Sequence, residues 1–479
     1  MSDKISDLFG AFLAGRVGRR ELLARASQLG LGAAAATTFL NRTQSQALAA
    51  SSYDWKAQSG QSIKLLMNKH PYTDALLKNI DAFKSLTGIN VTYDVFPEDV
   101  YFDKVTAALS SRSSSYDLFM SGAYQTWQYG PAGWLVDLNK FIHDTSETSG
   151  DYDWDGILPN LRSATAWSGK PGDALGGPGA KQWALPWAWE LNSIAYNKRI
   201  LDAAHMEPPK NLPDLIEMAA KISKDVPGVY GIGARGSRSW ATIHAGYLSA
   251  YTNYGAKDFD TSGGKLVPTM NSKQAKDFTR LWVEMLQKGG PKNWTTYTWY
   301  EVANDLGGGT SAMVYDADSA AFFQEKGTKE AGNIHYHAFT PNPDAHQPTP
   351  NVWIWSLAMS AFSKHQQAAW KLMQWATSTQ QLTLGATKAD LIDPTRQVVW
   401  DNQDFKTRMN GYPGYLEQFA ASSPGAKIYF TPQPLFFNVT TSWAAALQKI
   451  YSKQVSVDDG LDQLAHDITA QLENAGITD

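Results

Sequence analysis

Residues 63–122 read IKLLMNKHPYTDALLKNIDAFKSLTGINVTYDVFPEDVYFDKVTAALSSRSSSYDLFMSG, and this stretch decides the fold. The run IKLLM at 63–67 is apolar and of strand length. Residues 74–86 repeat their apolar positions at helical spacing, and Gly88 follows as the residue best able to close a helix. Residues 89–96 alternate as a half-buried strand does, DVYFDKVTAALSS predicts a second helix, and YDLFMSG at 116–122 a third strand. Such alternation within one short stretch predicts an α/β unit built on a largely parallel sheet. Ligands of such sheets gather beyond the carboxyl ends of the strands. Those ends carry Asn68, His70, Ser121, Gly122 and Tyr124.

Outward from this unit, residues 144–183 are rich in Gly, Ser, Asp and Pro and read as irregular. ALPWAWELNSIAYNK (184–198) is strand-like again. DLIEMAAKI and AKDFTRLWVEMLQ (275–287) predict helices, the latter periodic at 3.6. GGGTSAMVYDADS (307–319) is a glycine loop, a buried strand and a polar end. HYHAF and NVWIWSLAMS add two strands, HQQAAWKLMQWATS a helix, and SWAAALQKIYS and DDGLDQLAHDITAQL two more. No internal repeat or low-complexity segment follows the leader.

The leader itself has the order of an export signal. Arg19 and Arg20 precede a Gly/Ala-rich apolar stretch at 29–40, and Ala47-Leu48-Ala49 offers small residues for cleavage. The paired arginines resemble the twin-arginine pattern, with Gly18, Leu22 and Ala24 departing from its Ser, Phe and Lys. A cytosolic amphipathic helix with solvated arginines is the competing reading. Export predicts a periplasmic protein, and residues 1–49 are expected to be removed as the signal peptide. The remainder suffices for about two or three globular units.

The chain carries a formal net charge of −4, and the leader is basic, so the exported part is acidic. Nothing in that balance draws it towards nucleic acid or anionic lipid. There is no cysteine, which excludes disulfides, thiolate metal sites and cysteine nucleophiles. His335 and His337 lie two apart on a predicted strand; without a third ligand nearby they read as a polar strand face, so no metal and no cofactor is expected. Aromatic residues are the anomaly: 18 Trp, 21 Tyr and 19 Phe. Trp187 with Trp189, and Trp353 with Trp355, are spaced so that each pair would face one side of a strand. Flat apolar faces edged by polar groups suit sugars and polyols, which combine C–H faces with hydroxyl rims.

Several segments together carry a family resemblance: FKSLTGINVTYDV, YDLFMSG, LPWAWELNSIAYNK, GTSAMVYDADS, SLAMSAFSKHQQAAWKLMQWATS and SWAAALQKIYSKQVSVDDGL. In this order and spacing the chain resembles the extracellular solute-binding proteins of bacterial ABC importers, in the carbohydrate-type group of the maltose-binding proteins. The resemblance implies a two-lobed periplasmic-binding-protein fold of the α/β class, each lobe a mostly parallel sheet flanked by helices, joined by two or three hinge crossings. It places those crossings at LPWAWELN, at HAFTP and near Asp393. Lobe one is then expected from residues 50–187 with 340–393, and lobe two from 188–339 with 394–479. It implies no catalytic residue, a sugar or polyol as ligand, a membrane permease as partner, and a monomer.

By the same resemblance Glu190 falls where the maltose-type proteins place a carboxylate against ligand hydroxyls. Their stacking tryptophan is replaced here by a polar residue near Ser319, which argues against a maltose-like ligand. Asp316 and Asp318 present carboxylates instead, with helix capping as the competing role. Arg396 is the fourth polar anchor, its alternative an ion pair at the surface. Trp187, Trp240, Trp355 and Trp353 are the stacking candidates, with burial in a lobe interior the alternative for Trp187 and Trp353. Asn68, His70 and Tyr124 complete the set. The implied mechanism is capture by hinge closure, driven by the ligand's preference for the closed state. A secreted glycoside hydrolase, with carboxylates about 5–10 Å apart, is the alternative from another class. The same fold gripping a polyamine is a further one.

Overall fold

The computed structural model describes residues 53–238 and 243–477. The leader and Trp240 lie outside the described residues. Eight strands matter to the site: β1 (Ser62–Asn68), β2 (Asn90–Phe96), β3 (Leu118–Gly122), β4 (Leu185–Asn197), β5 (Tyr230–Gly233), β6 (Ser311–Ala317), β7 (Ile334–His337) and β8 (Val352–Met359).

β1 pairs in parallel with both β2 and β3, and β8 closes on β3 in the antiparallel sense. β8 then pairs with the first half of β4, from Leu185 to Leu191. The second half of β4 changes partners. Asn192 pairs with Ala317 of β6, and residues 194–197 take β7 on the opposite edge. β6 continues in parallel with β5. One fully buried strand is therefore shared by two sheets, and the exchange falls between Leu191 and Asn192.

The chain also passes between the sheets after β7, on the way to β8, and residues 393–396 return to the first half of β4. There it lies beside β4, through Trp189 N–H to the Asp393 carbonyl (3.2 Å) and a bridge from Ala188 to Pro394. With these passes the molecule has the two-lobed α/β architecture expected.

The first predicted helix is in fact two. α1 (Pro71–Leu77) starts at a His70 cap with Pro71 in its first turn, and α2 (Ile80–Thr87) begins after Asn79. Asn79 Nδ2 donates to the Ala75 carbonyl at 3.3 Å, so a side chain takes an acceptor the helix would have used to continue. Gly88 adopts φ 70° and donates its N–H to the Lys84 carbonyl, as a left-handed helix stop should. α3 (Glu98–Ser110) and α4 (Ala123–Tyr129) return the chain to the sheet.

Under the second sheet α5 (Leu212–Asp225) and α6 (Lys273–Gly289) pack their apolar faces, with Phe278 and Trp282 buried. Full burial of a side chain such as Phe278 stabilises by about 1.5–3 kcal/mol. α7 (Trp299–Gly308) and α8 (Asp318–Phe322) flank β6. On β7, His335 and His337 alternate with buried Ile334 and Tyr336, the half-polar face foreseen. No group of metal-ligating side chains occurs among the described residues, and no described helix is long and apolar enough to cross a membrane.

A candidate ligand site where the two sheets meet

The i, i+2 spacing of Trp353 and Trp355 on β8 does place both indoles on one side, with centroids 5.1 Å apart at 73°. Gly122, at the end of β3, makes room for them. A Cβ there would stand 2.4 Å from the Trp353 ring, so any other residue would push the indole away. Trp355 Nε1 donates to Glu190 Oε1 at 2.9 Å, and Glu190 sits directly across the ladder from Trp353.

His70 joins them from the loop after β1. Its ring lies 5.0 Å from that of Trp355, and its Nε2 lies 3.8 Å from Glu190 Oε1. His70 Nδ1 accepts the Tyr72 N–H at 3.2 Å, which leaves the ring hydrogen of the neutral tautomer on Nε2, towards Glu190. Burial lowers the His70 pKa to about 3, so the ring is neutral. Burial also pushes Glu190 up to about 7, against the hydrogen bond from Trp355.

Opposite stands Arg235, just beyond β5. Its Nε donates to Asp316 Oδ2 at 2.8 Å and its Nη2 to Asp316 Oδ1 at 2.6 Å, a bidentate fork that fixes the guanidinium plane. Asp316 Oδ1 also accepts the Ala317 N–H at 2.7 Å. Both Asp316 oxygens are thus occupied, and its work is to hold Arg235.

The charge on Arg235 acts on Glu98 and Glu190. Glu98 opens α3 and accepts from Asn68 Nδ2 at 3.1 Å; burial raises its pKa despite that bond and the arginine. Two polar atoms here have no partner among the described residues: Asn68 Oδ1 in this layer and, just below it, Asp318 Oδ2. The Trp299 indole N–H is a partner of Glu98. Unpaired buried polar atoms are costly, and hydroxyls, which both donate and accept, would satisfy them.

Below this layer Asp318 Oδ1 accepts the N–H groups of Leu191 (3.1 Å) and Ser319 (3.0 Å), so part of its role is to tie α8 to the shared strand. The hydroxyl of Tyr415 donates to Asp393 Oδ1. Burial first, then repulsion among these carboxyls and Glu190, raises the pKa of both Asp318 and Asp393.

Two expectations need correction. Trp187 and Trp189 do not share a side. Pro186 pairs with Ser356 and Ala188 with Trp355, which leaves Trp187 as the unpaired residue of a β-bulge and breaks the alternation. Trp187 meets Tyr72 at 6.4 Å, whereas Trp189 packs on Phe419 and donates to the Pro394 carbonyl. Arg396 is neither an anchor in this layer nor a surface ion pair. Fully buried, it donates to the carbonyls of Thr377 (2.9 Å), Asp153 (2.7 Å) and Tyr152 (2.9 Å). Arg396→Ala is expected to lower the unfolding free energy by about 3 kcal/mol or more, because these carbonyls lose their donor. Denaturant titration measures this, and ligand affinity of the folded variant should stay unchanged.

Tyr124 is a support. Its hydroxyl donates to the Val352 carbonyl (2.8 Å) and accepts from Asn351 (2.6 Å), and its ring lies 5.3 Å from Trp353. Sequence reasoning missed Arg235, Glu98 and Trp299 as members of the site. Arg235 in GIGARG was legible as the polar end of a short apolar strand; Glu98 and Trp299 open helices and gave no such signal.

Residues 69–382 match the model of the bacterial extracellular solute-binding protein family. The chain is 42% identical over 402 residues, 83% of each protein, to an erythritol/L-threitol-binding protein of Mycolicibacterium smegmatis. It is 26% identical over 60% of its length to a mannitol-binding protein of Pseudomonas aeruginosa, covering 62% of that protein. An ABC transporter solute-binding protein of Agrobacterium vitis with bound D-mannitol superposes with a TM-score of 0.72 at 24% identity, over 87% of this chain and 99% of that one. At that identity the superposition speaks for the fold alone. A buried polar layer between two sheets, a strand common to both, and these matches lead to one conclusion: the chain belongs to the bacterial extracellular solute-binding proteins.

Proposed function

We propose that the protein captures a short acyclic polyol between its lobes and delivers it to the membrane permease of an ABC importer. One observation carries this reading. Glu190, on the strand both sheets share, is bound to Trp355 from one side and faces Arg235, Asn68 and Glu98 across a polar layer in which Asn68 Oδ1 has no partner among the described residues. Such a layer offers donors and acceptors in turn, with indole faces to exclude water, which is the chemistry of a chain of hydroxyls. The 42% identical relative that binds erythritol and L-threitol supports the size class.

Capture without catalysis fits the carboxylates. Asp316 is spent on Arg235, and Asp318 on the Leu191 and Ser319 amides, so this pair does not flank a bond as a hydrolase requires. The fixed guanidinium of Arg235 disfavours a polyamine. The test is a thermal-shift panel of erythritol, L-threitol, ribitol, D-mannitol, maltose and spermidine. A tetritol at about 100 times its Kd should stabilise the native protein by about 2.7 kcal/mol. Stabilisation by spermidine alone, or release of reducing ends from an oligosaccharide, would overturn the reading.

A further inference from the structure

Beside Trp353 the fold leaves an amide idle. Gln125 stands in the first turn of α4, just after the carboxyl end of β3, and is 1% exposed. Neither its Oε1 nor its Nε2 has a hydrogen-bond partner among the described residues. A glutamine at the third position of a helix often turns back to bond the N–H of the capping residue. Here the cap is Gly122, and the amide makes no such bond. Two unpaired polar atoms in the interior are costly, so the pair calls for an occupant that satisfies both.

Strand register says which way the amide lies. Gly122 pairs with Trp355 across the β3–β8 ladder, and Trp353 pairs with Glu190 across the β8–β4 ladder. Paired residues send their side chains to one face, and the two indoles share theirs. The direction in which Gly122 lacks a side chain is therefore the face of Glu190. A Cβ there would stand 2.3 Å from Gln125 Oε1 and 2.4 Å from the Trp353 ring. The amide thus takes the place of the absent side chain, against the indole and on the face that carries the Glu190 carboxylate. His244, in the segment that follows β5, lies over Trp353 at 4.7 Å, so a ligand reaches this wall while the lobes are apart and is enclosed when they meet.

We propose that Gln125 is a ligand-binding residue whose amide donates to one hydroxyl of the polyol and accepts from the hydroxyl next to it. This rests on the functional reading above and adds to it a contact on the wall of the first sheet. A neutral amide suits hydroxyls on adjacent carbons because it offers one donor and one acceptor side by side. A carboxylate only accepts and a guanidinium only donates, so neither Glu190 nor Arg235 reads a diol in this way.

The experiment is calorimetry of the full chain with erythritol, beside the melting temperature of the ligand-free protein, on the wild type and on Gln125→Met. Methionine keeps the length of the side chain and removes both polar atoms. The variant should lose erythritol affinity by about tenfold or more, as two hydrogen bonds go. Without ligand it should melt no lower than the wild type, because an unpaired buried amide has been removed; a residue that braced the fold would do the opposite. If Gln125→Met does not fold, Gln125→Asn, which draws the amide back by one methylene, is measured in its place and should show the same loss of affinity. Unchanged affinity, or a loss of affinity matched by a fall in the ligand-free melting temperature, overturns the proposal and leaves the functional reading intact. A wild type that binds no polyol overturns both.

Discussion

Arg235→Ala is expected to abolish polyol capture, with an affinity loss of about a hundredfold or more, and to destabilise the folded protein by about 3–5 kcal/mol. The two losses have one origin. The Asp316 carboxylate is fully buried and receives two guanidinium N–H groups at 2.6 and 2.8 Å. Without them a charge remains in the interior with, among the described residues, the Ala317 amide as its remaining partner. The double variant Arg235→Ala/Asp316→Asn should therefore recover much of the stability, because the orphaned charge is gone. It should recover none of the affinity, because the donor facing Glu98 and Glu190 is still missing. Chemical denaturation and calorimetry separate the two quantities. Full affinity in the single variant would remove Arg235 from the site.

The second large effect is on pH. Glu190, Asp318 and Asp393 all have carboxyl pKa values raised by burial, Glu190 to about 7. A group whose folded pKa lies above its unfolded one binds protons more tightly when folded. Its stabilisation is complete below the unfolded value and is lost as pH rises through the folded value. His70 works the other way. Its pKa is lowered to about 3 by burial, so it penalises the fold only below the ordinary histidine value of about 6.5. Glu330, held down to about 2 chiefly by Arg199, loses its contribution only in stronger acid. From about pH 6.5 upward the raised carboxyls therefore act alone. The unliganded protein should melt at a higher temperature at pH 7 than at pH 8.5, by several degrees. Glu190→Gln should flatten that slope, since it stays neutral at every pH. A melting temperature that rises between pH 7 and 8.5 would contradict this charge state.

Much of the architecture was legible before any coordinates. The β1–β3 unit follows from apolar runs and from Gly88, because local periodicity and a left-handed stop are properties of short segments. The Trp353–Trp355 pair was legible for the same reason: a regular strand keeps its period of two. Trp187 was misread because a bulge depends on how two strands meet, through Ser356 and Pro186, and not on either strand alone. The single helix expected over residues 74–86 broke at Asn79, whose side chain competes for a backbone acceptor.

Arg396 illustrates the limit for charged residues. A cation buried among carbonyls and one facing a ligand look alike until the neighbouring chain is in place. Asp316 and Asp318 were found, but their partners Arg235 and Leu191, 81 and 127 residues away, decide what they do. The export leader and Trp240 fall outside the described residues, so those two expectations stand as they were.

One feature of the fold reaches beyond the site. Glu190 is carried by the same buried strand that trades sheets one residue later, between Leu191 and Asn192. In the proposed capture, whatever pulls on that carboxylate pulls on backbone that passes directly from one sheet into the other. Sensing and bending then share one stretch of polypeptide, and no relay between a distant detector and a separate joint is needed.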